Sequence, residues 1–315
     1  MPILVIQGFA LVVRALLQDR LADAGAGRFA ADLSYLAVPP LLAIMLWPIV
    51  SRYRVFLAET LDPARLTWRL AATAILVGVL LRVAFWAKLV GMAAVTATAP
   101  APLAATLAAL SSIAPSIAAE IASSTISAAI PADAIGASTL AGAGAAGRPD
   151  VAVDGPSRLS IGFACPAGTA LALHIVARVV MAPVVEEIIN RGFFLFGLLR
   201  KGKIVAVFAS GALFAAFHPV ATMDTAFVSG IAFGALTLRT GSLWPAVLAH
   251  GAFNALIILD WLCLSVTWNP VSATPATHGL TAGALFVCAA AIGAVTFLIL
   301  NAKAVPGPKP RHLSC

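Results

Sequence analysis

Apolar runs close to the width of a bilayer recur along the whole length of this chain. The 315 residues are 61% hydrophobic and only 10% charged, whereas soluble domains carry about 25% charged residues. A helix needs about 20 apolar residues to cross the hydrocarbon core. The sequence predicts eight membrane segments, at 3–17, 34–50, 70–98, 167–199, 203–218, 224–239, 242–262 and 279–300. The predicted fold class is all-α, a polytopic transmembrane helix bundle.

Basic residues fall in short clusters between the apolar segments, and no basic face is interleaved with aromatic residues. A nucleic-acid partner is therefore not expected, and the lipid bilayer is the predicted environment. The positive-inside rule places the clusters and the C-terminus in the cytoplasm of a multi-pass cell-membrane protein, by our interpretation a bacterial inner-membrane protein. The clusters are Arg52, Arg54, Arg65 and Arg69, then Arg200, Lys201 and Lys203, then Lys303, Lys309 and Arg311.

A change of composition divides the chain. Residues 99–166 are rich in Ala, Gly, Ser and Pro, which is typical of a linker rather than of a packed domain. We therefore predict N-terminal transmembrane segments at 1–98 and a non-cytoplasmic loop at 99–166. A transmembrane core follows at 167–262, and the final helix and basic tail occupy 263–315.

The predicted core holds three polar motifs at helical spacing. An ionised side chain at the bilayer centre costs at least about 3 kcal/mol, so each such residue is a functional-site hypothesis. The motifs are Glu186-Glu187-x-x-x-Arg191, Phe214-x-x-x-His218 and His250-x-x-x-Asn254.

Helical geometry separates the two adjacent glutamates. Glu187 and Arg191 are four residues apart, so they share a helix face and can form an ion pair. Glu186 points about 100° away from Glu187 and is predicted to be the free carboxylate, which suits a general base. The structural alternative is that both glutamates only neutralise Arg191, but one carboxylate would suffice for that.

The motifs are also predicted to lie at a common depth. With a rise of about 1.5 Å per residue, Glu186, His218 and His250 lie roughly 15–22 Å from the basic connections that flank their helices. Gly230 and Gly234 are spaced for close helix contacts that would bring the motif helices together. The motif residues can meet in one intramembrane site only if they lie at the same depth and their helices pack closely together.

At these motifs the chain resembles the CPBP family, which comprises the CaaX-processing endopeptidases and their bacterial relatives. The family pattern is Glu-Glu-x-x-x-Arg, then Phe-x-x-x-His, then His-x-x-x-Asn or Asp, and the match covers about residues 166–262. One departure is Asn190, which stands where relatives commonly carry Phe or another apolar residue. Residues 1–165 add nothing to the resemblance.

The resemblance implies an intramembrane endopeptidase that cleaves a membrane-associated protein substrate. Glu186 would activate a water, and His218 would orient it. His250 and Asn254 would stabilise the developing oxyanion. Glu187, Arg191 and Phe214 would support the geometry of the site.

Metal dependence stays open at this point. Glu186, His218 and His250 could also hold Zn²⁺ with an open water position. Asn is a poor zinc ligand and no third strong ligand is evident, so a reaction without a cofactor is the preferred interpretation. Two other functions compete, a non-catalytic membrane immunity or scaffold protein of the same fold, and a transporter with an intramembrane proton relay.

Overall fold

The structure is a computed structural model, and it describes only part of the chain. The described residues are 13–14, 16–26, 33–34, 36–37, 51, 54–98, 159–163, 168–218, 222–259, 264–268 and 275–302. The predicted segments 3–17 and 34–50 lie mostly outside these residues. So do most of the predicted loop at 99–166 and the basic tail from residue 303.

Helices dominate the described residues, as the apolar segments predict. Six of the predicted segments match observed helices whose ends differ from the prediction by at most four residues. Short helical turns also occupy Ala22–Ala26 and Pro63–Arg65. We number the helices α1 Arg54–Thr60, α2 Trp68–Thr98, α3 the continuous helical segment 169–201, α4 Lys203–Ala216, α5 Met223–Thr240, α6 Trp244–Ile258 and α7 Pro275–Asn301.

Two helices in the described part of the chain are long and apolar enough to cross a membrane. These spans are Trp68–Gly91 within α2 and Thr281–Asn301 within α7. Helices α4 and α6 are apolar but shorter, with 14 and 15 residues. The helical bundle is confirmed at this level, and the number of eight segments stays a prediction.

Helix α3 is one rod that alternates between two hydrogen-bonding patterns. Its α-helical stretches, in which N–H groups bond four residues back, include Thr169–His174 and Ala182–Glu187. Its π-helical stretches, in which they bond five residues back, are Ile175–Met181 and Ile188–Leu195. The first motif therefore lies across a junction between α and π geometry.

A small antiparallel sheet adds to the predicted all-α fold. Strand β1, Leu159–Phe163, pairs with β2, Leu264–Trp268, so that Leu159 lies opposite Trp268. Each strand has five residues, too few for a periodic pattern in the sequence to separate from loop, and the partners are distant in the chain. The sheet joins the segment before α3 to the segment after α6.

Helix α6 is held between α2 and α3 by two glycines. A β-carbon at Gly78 of α2 would lie 2.0 Å from the Ala249 carbonyl oxygen, and one at Gly251 would lie 2.9 Å from the Val179 carbonyl oxygen. Without these β-carbons the backbones approach closely enough for Cα–H···O contacts. Ala249 and Gly251 flank His250, so both contacts fix the height of that histidine.

A further glycine contact joins α4 to α5. A β-carbon at Gly230 would lie 2.9 Å from the α-carbon of Gly211, as expected from a position that permits close packing. The other predicted glycine, Gly234, has only ordinary contacts, with Val207 at 3.7 Å. Gly234 therefore faces α4 as predicted, but a β-carbon would fit there, and only Gly230 is required for the close approach between α4 and α5.

Side chains of Arg65, Arg239 and Trp244 tie neighbouring connections together at one end of the bundle. The Arg65 guanidinium donates to the carbonyl of Gly241 at 3.2 Å, and the Trp244 indole donates to the carbonyl of Leu61 at 2.6 Å. Arg239 Nε donates to the carbonyl of Ala302, at the end of α7, at 3.1 Å. The α1–α2 connection, the α5–α6 connection and the end of α7 thus form one linked surface.

Candidate functional site

The predicted ion pair between Glu187 and Arg191 is present and fully buried. Arg191 Nε lies 3.1 Å from Glu187 Oε2, and both side chains have 0% exposure. The N–H does not point along that line, so the contact is an ion pair without hydrogen-bond geometry. Arg191 Nη2 donates to the Gly230 carbonyl of α5 at 3.0 Å. Arg191 therefore joins α3 to α5 at the point where α5 already packs closely on α4.

Aromatic rings cover the rest of the buried guanidinium. The Arg191 guanidinium carbon lies 4.6 Å from the centre of the Phe214 ring and 5.6 Å from that of Phe233. Phe214 belongs to the second motif, whereas Phe233 belongs to none of the three motifs. A cation held against ring faces in a dry interior is partly compensated for its lost hydration.

His250 lies beside both glutamates. Its Nδ1 is 3.0 Å from Glu187 Oε1, and its Nε2 is 3.9 Å from Glu186 Oε2. A carboxylate only accepts hydrogen bonds, so we assign the proton to Nδ1. In the neutral imidazole, Nε2 is then an acceptor that faces Glu186.

Two phenylalanines fix the plane of the His250 ring. Phe233 stacks on it with ring centres 5.3 Å apart and an angle of 21° between the planes. Phe214 meets it edge to face at 5.5 Å. The imidazole therefore has little freedom to rotate, and its two nitrogens keep their separate partners.

Glu186 and Glu187 occupy unequal environments. The Glu187 side chain is fully buried, whereas that of Glu186 is 29% exposed. Glu187 holds Arg191 and His250, and Glu186 has one oxygen directed towards the acceptor nitrogen of His250. Of the two adjacent carboxylates, only Glu186 can be reached by water or by a substrate.

His218 lies at the end of α4 and contacts the same aromatic wall. Its Nδ1 is 2.8 Å from the Phe214 carbonyl oxygen, and its ring centre is 4.5 Å from that of Phe214. A carbonyl oxygen only accepts, so Nδ1 donates and Nε2 is left as the second acceptor nitrogen of the site. Phe214 thus contacts the rings of His218 and His250 together.

Asn254 is bonded to the backbone of α3. Its Nδ2 donates to the carbonyl of Arg178 at 2.9 Å. The helical spacing predicts that His250 and Asn254 face one cavity, and here the two side chains bond to different stretches of α3. The amide of Asn254 has a second N–H, which this bond does not use.

The described residues do not include a ready metal centre. Among them, no three His, Cys, Asp or Glu side chains come together as a metal ion needs. Of the trio considered for Zn²⁺, His218 and His250 both contact Phe214, but Glu186, His218 and His250 do not come together as one group of ligands. No metal enters the reaction proposed below.

Two groups of this site, the Phe233 ring and the Gly230 carbonyl, belong to none of the three sequence motifs. Phe233 is one of many apolar residues of α5, and nothing in its spacing separates it from ordinary packing residues. The Gly230 carbonyl is a backbone acceptor, and the spacing of Gly230 indicates only a close helix contact. Both are recognised as contacts of Arg191 only once α5 is placed beside it.

Comparison with known families gives one match in this region. Residues 168–256 match the family model described as Type II CAAX prenyl endopeptidase Rce1-like. Comparisons with curated proteins and with solved structures give no match. The matched segment contains all three motifs and every side chain of the site. Residues 168–256 are therefore similar to the Type II CAAX prenyl endopeptidases, and this match supports the resemblance to the CPBP family.

Proposed function

We propose that this protein is an intramembrane endopeptidase that hydrolyses a peptide bond of a membrane-associated protein, with Glu186 as the general base. The observation that carries the proposal is the unequal placement of the two adjacent glutamates. Glu187 is buried with Arg191 and bonded to His250, and Glu186 is 29% exposed at 3.9 Å from His250 Nε2. Glu187 therefore holds neighbouring side chains in place, and Glu186 is accessible to water and substrate for the reaction.

The gap between Glu186 and His250 suits a water molecule. Polar atoms separated by more than about 3.5 Å are commonly bridged by water. Such a water donates one hydrogen to Glu186 Oε2 and the other to His250 Nε2. Its lone pair then points away from both groups, towards an incoming carbonyl carbon.

Hydrolysis then follows in two proton transfers. Glu186 removes a proton from the water as the water oxygen bonds to the peptide carbonyl carbon, and the carbonyl oxygen becomes an oxyanion. We assign the second N–H of Asn254 to this oxyanion, as the family resemblance implies. Glu186 then gives its proton to the leaving nitrogen, the C–N bond breaks, and a carboxylic acid and an amine are released. The acid ionises afterwards by giving its proton to the amine or to water.

Glu187 and Arg191 act through His250. The bond from Nδ1 to Glu187 fixes the tautomer in which Nε2 can accept from the water. Arg191 pairs with Glu187 and, through its bond to the Gly230 carbonyl, fixes that pair against α5. The role of His250 in this geometry is to orient the water, whereas the resemblance assigns it to the oxyanion.

The decisive experiment compares protein termini in membranes of cells that produce the wild type or Glu186→Gln. The amide keeps the size of the side chain but cannot take a proton. Glu59→Gln, on α1 and outside the three motifs, is the matched control. We expect termini that appear with the wild type and Glu59→Gln but not with Glu186→Gln. A parallel sample with a zinc chelator tests metal dependence of the same products.

Two results would contradict the proposal. Turnover by a folded Glu186→Gln variant would remove Glu186 from the role of base. The absence of any new terminus, with all three proteins folded and abundant, would favour the non-catalytic immunity or scaffold alternative.

A further inference from the structure

Asn190 is a buried polar residue one helical turn after Glu186. Its side chain is 1% exposed, and its Nδ2 donates to the Glu186 carbonyl oxygen at 2.8 Å. The reaction proposed above does not use Asn190. Its amide nevertheless bonds directly to the backbone of the residue assigned as base.

The Glu186 backbone lies where such a bond has most effect. The α-helical stretch Ala182–Glu187 ends one residue later, and the π-helical stretch Ile188–Leu195 follows. At this junction the backbone hydrogen bonds change from four to five residues back. A side-chain donor on the carbonyl four residues back restrains the junction, and with it the direction of the Glu186 side chain.

A second hydrogen bond ties Asn190 to α4. Ser210, with 0% exposure, donates from Oγ to the Asn190 carbonyl oxygen at 2.9 Å. Phe214 and His218 follow Ser210 by four and eight residues on the same helix. The chain Ser210–Asn190–Glu186 therefore links the helix that carries His218 to the residue assigned as base.

Burial of the Asn190 amide oxygen destabilises the folded state. Asn190 Oδ1 is buried and has no hydrogen-bond partner among the described residues. A buried acceptor without a partner loses its hydration with no compensation, which destabilises the folded state. An apolar side chain of similar size would avoid that cost, so the benefit of Asn190 must come from its donor.

We propose that Asn190 is a positioning residue for Glu186, acting through its hydrogen bond to the Glu186 carbonyl. This inference rests on the proposed function. Without the donor, the junction loosens and the Glu186 carboxylate spends less time in its working position beside His250. Binding of the substrate does not depend on that position, so the effect falls on kcat and not on KM.

Two isosteric substitutions test the donor alone. Thr at position 190 can donate from its hydroxyl to the carbonyl four residues back, whereas Val has the same shape without a donor. The substrate is a peptide copied from the cleavage site at a Glu186-dependent terminus, and the protein is the full chain in detergent. We expect Asn190→Thr to keep kcat within about threefold of the wild type. Asn190→Val is expected to lose at least about tenfold in kcat, with an unchanged KM.

Thermal unfolding separates positioning from a merely structural role. Both variants remove the unpartnered amide oxygen, and Val leaves no polar group at the buried position, so we expect Asn190→Val to unfold at a temperature no lower than Asn190→Thr. Equal kcat values for the two variants would overturn the inference. So would a Val variant that is clearly less stable than the Thr variant, because loss of activity would then follow loss of folding.

Failure of the inference is distinguishable from failure of the proposed function. If no terminus depends on Glu186, the proposed function fails and the positioning role fails with it. If Glu186-dependent cleavage is present and the Thr and Val variants cleave equally, only the positioning role of Asn190 is wrong.

Discussion

Replacement of Gly78 by Ala should lower both the stability of the protein and the activity of the candidate site around His250, although Gly78 contacts none of the site's side chains. The added β-carbon would lie 2.0 Å from the Ala249 carbonyl oxygen, and real β-carbons essentially never approach within 3.0 Å. Helices α2 and α6 must therefore separate by roughly 1 Å. Helix α6 cannot simply retreat, because Gly251 already lies against the Val179 carbonyl on its other side.

The cost can be worked from these contacts. Forcing an extra carbon into a close-packed interface costs about 1–3 kcal/mol, and Ala recovers about 0.5–1 kcal/mol over Gly in a helix. The difference is a net loss of up to about 2.5 kcal/mol in the free energy of unfolding. The effect on cleavage is larger, because His250 lies between the two contacts. A shift of about 1 Å at a reacting group can cost about 100-fold in rate, and it would break the 3.0 Å bond from His250 to Glu187.

A matched control lies on the same helix. At Gly91 the added β-carbon would meet the Ala284 β-carbon at 3.4 Å, an ordinary contact. Thermal unfolding in detergent and peptide cleavage are measured for Gly78→Ala and Gly91→Ala together. We expect only the Gly78 variant to lose stability and activity. Equal behaviour of the two variants would refute the reasoning that α6 is held by close backbone contact.

Two ion pairs should respond very differently to mutation. Glu187→Gln and Arg191→Met should each lower the free energy of unfolding by about 3–5 kcal/mol, because each leaves a buried charge without its partner. The double variant should lose less than the sum, and additive losses in unfolding experiments would argue against a coupled pair. The pair of Lys88 and Asp224, with side chains 28% and 60% exposed, should contribute at most about 1 kcal/mol. A much larger loss for Lys88→Met or Asp224→Asn in the same assay would contradict that estimate.

The local features of the site followed from the sequence. Glu187 and Arg191 pair because four residues place them on one helix face, and this requires no knowledge of the fold. Glu186 is left more exposed for the same reason. The depth estimate brought His250 to the same level as the glutamates, and the structure places it against both.

The features that were missed depend on partners distant in the chain. Gly78 contacts Ala249 across two helices, and no local pattern identifies which glycine of α2 has that role. The pairing of β1 with β2 is equally non-local, and each strand is short. The π-helical stretches of α3 were missed because an apolar helix gives no pattern that separates bonding four residues back from bonding five residues back.

The surface that links the α1–α2 and α5–α6 connections joins parts of the chain that are made at very different times during synthesis. The bond from Arg65 to Gly241 links residues 176 positions apart. At about 5–20 residues per second, a ribosome needs roughly 9–35 s to add that length of chain. Helix α2 is therefore made long before α6, whose Ala249 packs against Gly78. The candidate site can form only after α6 has been made, so a nascent chain that already carries α2, α3 and their glutamates still lacks the site.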